Sequence, residues 1–282
     1  MLSKSLKHEF RATSRVMLPV FLALLAVSAV TSLTNHFFLS GDSVHWVFRS
    51  LGVCMMILFF LGIAAVAFSV FALTVVRFYR SFLSEQGYLT MSLPVGTHTH
   101  IFSRLLVAVV WYTLSAIAIV AAICVLTLGI NGYSGFAVIG DVLRGLWQAW
   151  TSLTGGQRGL ALLLVFEMLA SVVASCAASC LLLYAAMAVG HSFNRHKKAL
   201  SVVFAFVFYH VVQILLLIGA FAVAQSSFNL DHYFDSLNVQ NATAVIGAMN
   251  VFFAVILAVQ AALCLVFYFI THYFLTKKLN LE

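Results

Sequence analysis

Residues 57–76 read ILFFLGIAAVAFSVFALTVV, and this stretch decides the fold. Its length matches the roughly 20 residues that a helix needs to cross the hydrocarbon core of a bilayer. It is apolar on every side, whereas a strand of a membrane barrel alternates apolar and polar residues. Because backbone polar groups cannot be left unpaired in lipid, we interpret the stretch as a transmembrane helix.

The composition extends this interpretation to the whole chain. Of its 282 residues, 63% are hydrophobic and 8% are charged, whereas an ordinary soluble domain has about 25% charged residues. So apolar a chain cannot cover itself with polar surface, which excludes a soluble enzyme, a disordered protein and a nucleic-acid-binding domain. We therefore predict an all-α integral membrane protein, a single transmembrane domain over residues 1–282, with no nucleic-acid partner.

Apolar runs of sufficient length occur six times along the chain. We predict transmembrane helices over about residues 16–38, 53–76, 105–130, 160–190, 200–224 and 245–274. Between the third and fourth, the sequence GDVLRGLWQAW (residues 140–150) places Val142, Leu146 and Trp150 on one helical face. This pattern predicts a short helix at the membrane interface.

Lysine and arginine set the orientation. Arg49, Arg144 and Arg158 fall on one side of the six spans, and the other twelve of the 15 basic residues fall on the side of the termini. By the positive-inside rule, both termini are predicted to be cytoplasmic in a multi-pass protein of the cell (plasma) membrane. The net charge of +7 then reflects topology and contact with anionic membrane lipid.

The N-terminal residues 1–15 carry a second helical pattern. Leu2, Leu6 and Phe10 recur at a spacing of four, and the basic residues lie on other faces. This spacing predicts an amphipathic helix at the cytoplasmic surface before the first span.

The cytoplasmic loop of residues 77–104 is the most informative segment, because it mixes aromatic, charged and turn residues. Gly87 suits a helix end, Pro94 keeps Leu93 out of the helical region, and Thr97 can cap the next helix. Between these signals there is room for a helix of about two turns, residues 88–92. Apolar side chains presented on such a helix to the cytoplasm indicate a docking element.

Two segments of the chain resemble a known family. SEQGYLTMSLPVGTHTHIFSRLLVAVVW (residues 84–111) resembles the loop between helices two and three in permeases of type-2 ATP-binding-cassette (ABC) exporters, which have six helices. KHEFRATSRVMLPVFLAL (residues 7–24) resembles the start of bacterial permeases of this class. The resemblance implies that residues 77–104 form a coupling loop whose short helix docks on a cytoplasmic ATPase.

The resemblance also implies the partners and the cofactors. The partners are an ABC ATPase subunit and a second permease, alike or homologous, in a dimer; ATP and magnesium are expected on the ATPase and no cofactor on this chain. Glu85 is expected to pair with a basic group on the ATPase or on the N-terminal helix. The residues implied in ATPase coupling are Arg80, Glu85, Gly87, Tyr88, Leu89, Leu93, Pro94 and Val95.

Polar residues inside the predicted spans suggest a path for the cargo. Spans two and five line that path in the resembled family, and ionisable groups inside a membrane commonly face a cavity. Aromatic walls suit an amphipathic drug, peptide or lipid-like cargo. The alternatives are phenylalanines that face lipid and polar groups that only bond between helices. The candidate path residues are Phe59, Phe60, Phe204, Phe208, Tyr209, His210 and Glu167.

No glycine in the chain is followed by lysine, so the phosphate-binding GxxxxGK[ST] loop is absent. We therefore expect a transport subunit without an enzymatic activity of its own, coupled to ATP hydrolysis on a separate chain. One alternative is a non-transporting sensor or immunity subunit coupled to an ATPase. A remote alternative is an intramembrane metalloprotease, which needs clustered metal ligands; no metal site is expected here.

Overall fold

The computed structural model describes residues 2–38, 46–83, 97–131, 133–193, 196–225 and 242–277. These residues are helical almost throughout, and they contain no strand. A π-helical turn, Tyr79–Leu83, follows the second helix. The α-helices are α1 (Leu2–Phe38), α2 (Trp46–Phe78), α3 (Thr97–Asn131), α4 (Tyr133–Ser152), α5 (Gly155–Gly190), α6 (Lys197–Gln225) and α7 (Ala242–Lys277).

Six of these helices are long and apolar enough to cross a membrane, and α4 is the exception. Each of the six predicted spans lies inside one of them, so the prediction of six long apolar helices is confirmed. Residues 140–150 lie inside α4, which confirms the helix predicted there. Val142, Leu146 and Trp147 are exposed on it, and its place at a membrane surface stays a prediction.

Residues 2–15 are helical, and they continue into the first span as one helix that passes through Pro19. The segment of residues 77–104 is helical up to Leu83 and again from Thr97. This agrees with the sequence, in which neither glycine nor proline interrupts residues 77–83 and Thr97 was expected to begin the next helix. The predicted short helix of residues 88–92 lies outside the described residues.

The chain divides into two compact units. Unit 1 comprises Met1–Val76 and Leu106–Ser152, and unit 2 comprises Arg77–Leu105 and Leu153–Glu282. The segment around the predicted coupling loop therefore belongs with α5, α6 and α7, although the greater parts of α2 and α3 belong to unit 1.

Unit 1 is organised around the side chain of Trp111. The Trp111 indole donates a hydrogen bond from Nε1 to Thr13 Oγ1 at 2.7 Å, and the Phe10 ring stacks on the indole at 4.9 Å. Met17 and Val70 complete this cluster. The apolar side of the N-terminal helix thus contacts α3 at Phe10, and its location at the membrane surface remains a prediction.

In unit 2, α5 and α7 run parallel. Gln157 Nε2 donates to Thr243 Oγ1 at 2.9 Å, and Asn250 Nδ2 donates to the Leu160 carbonyl at 3.2 Å. Further along both helices, Cys264 Sγ contacts the Ala174 carbonyl at 3.7 Å. Parallel α5 and α7 are what an alternating six-span topology requires of its fourth and sixth spans.

The turn between α5 and α6 depends on a glycine. A Cβ at Gly190 would lie 2.5 Å from both the Cα and the N of Ser201, which is closer than any side chain tolerates. Gly190 therefore lets the backbones of the two helices meet. At the other end of the turn, His196 has a φ of 56°, a conformation that histidine adopts more readily than most side chains.

Candidate functional site

Two groups of side chains, one on each side of residues 84–96 in the chain, form a candidate site. The first group precedes this segment and is named the Phe78 cluster: Phe78, Tyr79, Phe82, Tyr184 and His191. The Phe78 ring stacks on the Tyr184 ring with centroids 4.1 Å apart, and Phe82 lies 5.0 Å from Phe78. Phe78 and Phe82 are fully buried. The end of α2 and the π-helical turn are thereby fixed against the end of α5.

Cationic side chains cover the same cluster. The Arg104 guanidinium lies over the Phe82 ring, with Cζ 4.4 Å from the centroid, and the Lys198 ammonium lies 5.7 Å from the centre of the Tyr79 ring. A contact of this kind at an exposed site, such as that of Lys198, contributes about 0.5–1 kcal/mol. The two contacts attach the second turn of α3 and the first turn of α6 to the π-helical turn.

His191 connects the cluster to the Gly190 turn. Its Nδ1 lies 3.0 Å from the Met187 carbonyl and 3.1 Å from Ser201 Oγ. A carbonyl only accepts hydrogen bonds, so we assign the proton to Nδ1, while the Ser201 hydroxyl donates to the Lys197 carbonyl at 3.0 Å. Burial lowers the pKa of His191 below its ordinary value, and Lys197 and Lys198 lower it further. The neutral ring, edge-on to Tyr79 at 5.5 Å, is the favoured form.

A second group lies beyond residues 84–96 and is named the His98 cluster: His98, Tyr268 and His272. The His98 and His272 rings stack with centroids 4.0 Å apart and planes 14° apart. His98 Nδ1 is also hydrogen-bonded to the Tyr268 hydroxyl. This cluster joins the first turn of α3 to the last turns of α7.

The two clusters show what contacts the residues on either side of 84–96. The preceding residues contact α5 and the α5–α6 turn, and the following residues contact α7. Both flanks of the segment are thus attached to helices of unit 2.

Most residues predicted to couple to an ATPase lie outside the described part of the chain. Arg80 is described, and it is exposed in the π-helical turn between the Phe78 and Phe82 positions. The docking roles of these residues stay predictions. Those outside the described residues are Glu85, Gly87, Tyr88, Leu89, Leu93, Pro94 and Val95.

The candidate path residues occupy different environments. Phe59 is buried in unit 1 against Leu24 and Val66, whereas the adjacent Phe60 is 66% exposed. Burial among apolar side chains gives Phe59 a packing role that needs no cargo. A role of either residue in a path stays a prediction.

In unit 2, two of the aromatic residues of α6 lie one turn apart on the side that contacts α7. Phe204 lies 6.0 Å from Phe208, and Phe208 lies 6.0 Å from Phe267 of α7. Tyr209 and His210 are exposed on α6, with His210 edge-on to Phe206 at 4.0 Å. Exposed side chains at these positions fit a path wall and a lipid-facing surface equally well.

Glu167 differs from the other path candidates, because it is buried between helices. Its side chain is 8% exposed, and its Oε2 has no hydrogen-bond partner among the described residues. This oxygen therefore does not form the interhelical hydrogen bond that was the alternative role for Glu167.

Reasoning from sequence missed both clusters. Two pairs within the clusters, Phe78 with Phe82 and Tyr268 with His272, are four residues apart, as expected for neighbours on a helix. The contacts that join different helices, such as Phe78 with Tyr184 and His98 with His272, link residues about 100 positions or more apart. No pattern in one sequence pairs them. Comparison of the chain with protein-family models, with curated proteins and with solved structures gives no match.

Proposed function

We propose that this chain is the transmembrane permease subunit of an ABC exporter. A separate ABC ATPase binds ATP and magnesium, and two permeases pair in the cell membrane with their termini in the cytoplasm. The proposal is supported most by the attachment of both sides of the 84–96 segment to unit 2 through the Phe78 and His98 clusters. A loop that receives force needs such anchors.

In this proposal the segment works as a lever. ATP binding closes the ATPase pair, the docked segment moves with it, and the motion passes through Tyr184 and His191 to α5 and α6 and through Tyr268 to α7. ATP binding and hydrolysis supply the free energy, and they shift the permease between its two conformations only because these differ in affinity for the ATPase. The absence of a phosphate-binding loop in the chain agrees with an external motor.

Charge reversal in the segment tests the proposal. We expect Glu85→Arg and Leu93→Asp to reduce co-purification of the partner ABC ATPase and to reduce its cargo-stimulated ATP turnover. Asp141→Arg is the matched control, because Asp141 is an exposed acid on α4, and it should leave both measurements unchanged. Undiminished association of both loop variants would contradict the proposal.

Transport of a cargo separates an exporter from a sensor or immunity subunit. Proteoliposomes that contain this chain and its ATPase are expected to move an amphipathic drug, peptide or lipid-like cargo when ATP is added. ATP turnover that responds to the cargo without any movement would favour the sensor.

A further inference from the structure

Three buried oxygen atoms on α5 and α7 lack hydrogen-bond donors among the described residues: Glu167 Oε2, Asn250 Oδ1 and Gln260 Oε1. Glu167 is 8% exposed and Asn250 is 6% exposed. A buried acceptor without a donor destabilises the fold, and more so when the group is charged. Three such atoms on one pair of helices therefore require donors or a cation from outside the described side chains, either water or a bound ligand.

The register of the two helices brings two of these groups to nearly the same height. The bonds from Asn250 to Leu160 and from Cys264 to Ala174 both pair residues 90 apart in sequence. Gln260 is then level with residue 170, three residues from Glu167, or about 4.5 Å along the axis. Asn250 lies closer to the Gly155 end of α5, about 10 Å from the level of Glu167.

When Glu167 is ionised, none of these groups satisfies another, since a carboxylate accepts hydrogen bonds and the unpartnered amide atoms are also acceptors. Nor is a basic residue close by in sequence. The chain has no lysine or arginine between Arg158 and Arg195, and none between Lys198 and Lys277. The interior turns of α5, α6 and α7 thus supply no lysine or arginine for the carboxylate, and His210 in the interior of α6 is exposed.

We propose that Glu167 and Gln260 form a binding site for a monovalent cation, with Asn250 on its route from the Gly155 end of α5. Oxygen atoms of carboxylates and amides are the ligands that hard cations prefer, and they equally accept hydrogen bonds from a protonated amine. The cation is either an inorganic ion or the ammonium group of a cargo. Binding of an inorganic ion does not depend on the proposed export function, whereas binding of a cargo amine rests on it.

Thermal unfolding of the purified full-length chain in lipid nanodiscs tests this site. The protein is equilibrated in choline chloride and titrated with sodium, potassium or butylammonium chloride at constant ionic strength. A cation that binds only the folded protein raises the unfolding temperature progressively with its concentration. A shift with sodium or potassium identifies an inorganic ion, and a shift with butylammonium alone identifies an amine.

Variants locate the effect. Glu167→Gln should abolish the shift, and Gln260→Leu should require about tenfold more cation for the same shift. Asp141→Asn and Gln148→Leu make the same kinds of change at exposed positions of α4, and they should respond like the wild type. If Glu167→Gln does not fold, the Gln260→Leu result decides. No shift with any cation, or an equal shift in the folded site variants and the controls, overturns the proposal.

Discussion

Trp111 in unit 1 and Glu167 in unit 2 are both buried polar side chains, but their surroundings are opposite. The Trp111 Nε1 donates to Thr13 Oγ1, and the Thr13 hydroxyl in turn donates to the Glu9 carbonyl at 2.9 Å. Glu167 Oε2 has neither a donor nor a nearby lysine or arginine in sequence. A paired buried group stabilises a fold, whereas an unpaired one costs stability. The contrast indicates a structural role for Trp111 and a binding role for Glu167.

The largest effect is expected at Trp111. Trp111→Ala removes the stacked ring and leaves a void between α1 and α3, so it should lower the free energy of unfolding by about 3–5 kcal/mol. Trp111→Phe, which keeps an aromatic ring, should lose much less. Reversible unfolding in mixed micelles measures both. A loss below 1 kcal/mol for Trp111→Ala would contradict the structural role.

The next effect concerns the α5–α6 turn. Gly190→Ala places a methyl group against the Ser201 backbone, and the shift it forces should cost about 1–3 kcal/mol. Gly159→Ala on the same helix meets no atom within 4 Å. This control should be neutral or stabilising by up to about 1 kcal/mol. Equal unfolding midpoints for the two variants would disprove the close contact.

A gain in stability is expected at Glu167. In choline buffer, Glu167→Leu removes a buried acceptor that has no donor and should stabilise the protein by about 1 kcal/mol. Asp141→Leu at an exposed site should change stability by less than about 0.5 kcal/mol. Chemical unfolding without metal cations measures the difference. Strong destabilisation by Glu167→Leu would mean that the carboxylate has a structural partner.

The smallest effect is a pH dependence from His191. Its pKa is lowered in the folded protein, so the unfolded chain binds the proton more tightly. Stability is therefore complete above the ordinary value of 6.5 and falls as the pH drops from there toward the folded pKa. Unfolding midpoints at several pH values should show a shallower fall in His191→Gln, whereas His196→Asn should follow the wild type. The same pH slope in all three proteins would rule out His191 as the cause.

Hydrophobic run length predicted the six long helices, because twenty apolar residues leave few alternatives in lipid. The predicted spans begin with the apolar runs at Val53 and Leu105, whereas α2 and α3 begin earlier, at Trp46 and Thr97. Polar residues such as Arg49 and Arg104 limit the apolar run without ending the helix. Continuous apolar sequence also hides which face of a helix is buried, so the position of Phe59 in a packed cluster could not be predicted.

The candidate site was predictable only in its location along the chain. Turn residues marked the segment around Gly87 and Pro94, and Glu167 was recognisable as an isolated acid in an apolar run. The position of Gln260 on α7 near the level of Glu167 depends on the parallel register of α5 and α7. No local sequence pattern encodes the register of two helices that are distant in the chain. The Phe78 and His98 clusters were missed for the same reason.

The grouping of residues 77–105 with the C-terminal half of the chain has a consequence for biogenesis. During translation, Phe78, Phe82 and His98 leave the ribosome long before Tyr184, His191 and Tyr268 exist. These side chains lack their later partners while α4 and α5 are still being synthesised and inserted. Nascent chains stalled before residue 184 should therefore expose them to chaperones or proteases, and completion of α7 should end that exposure.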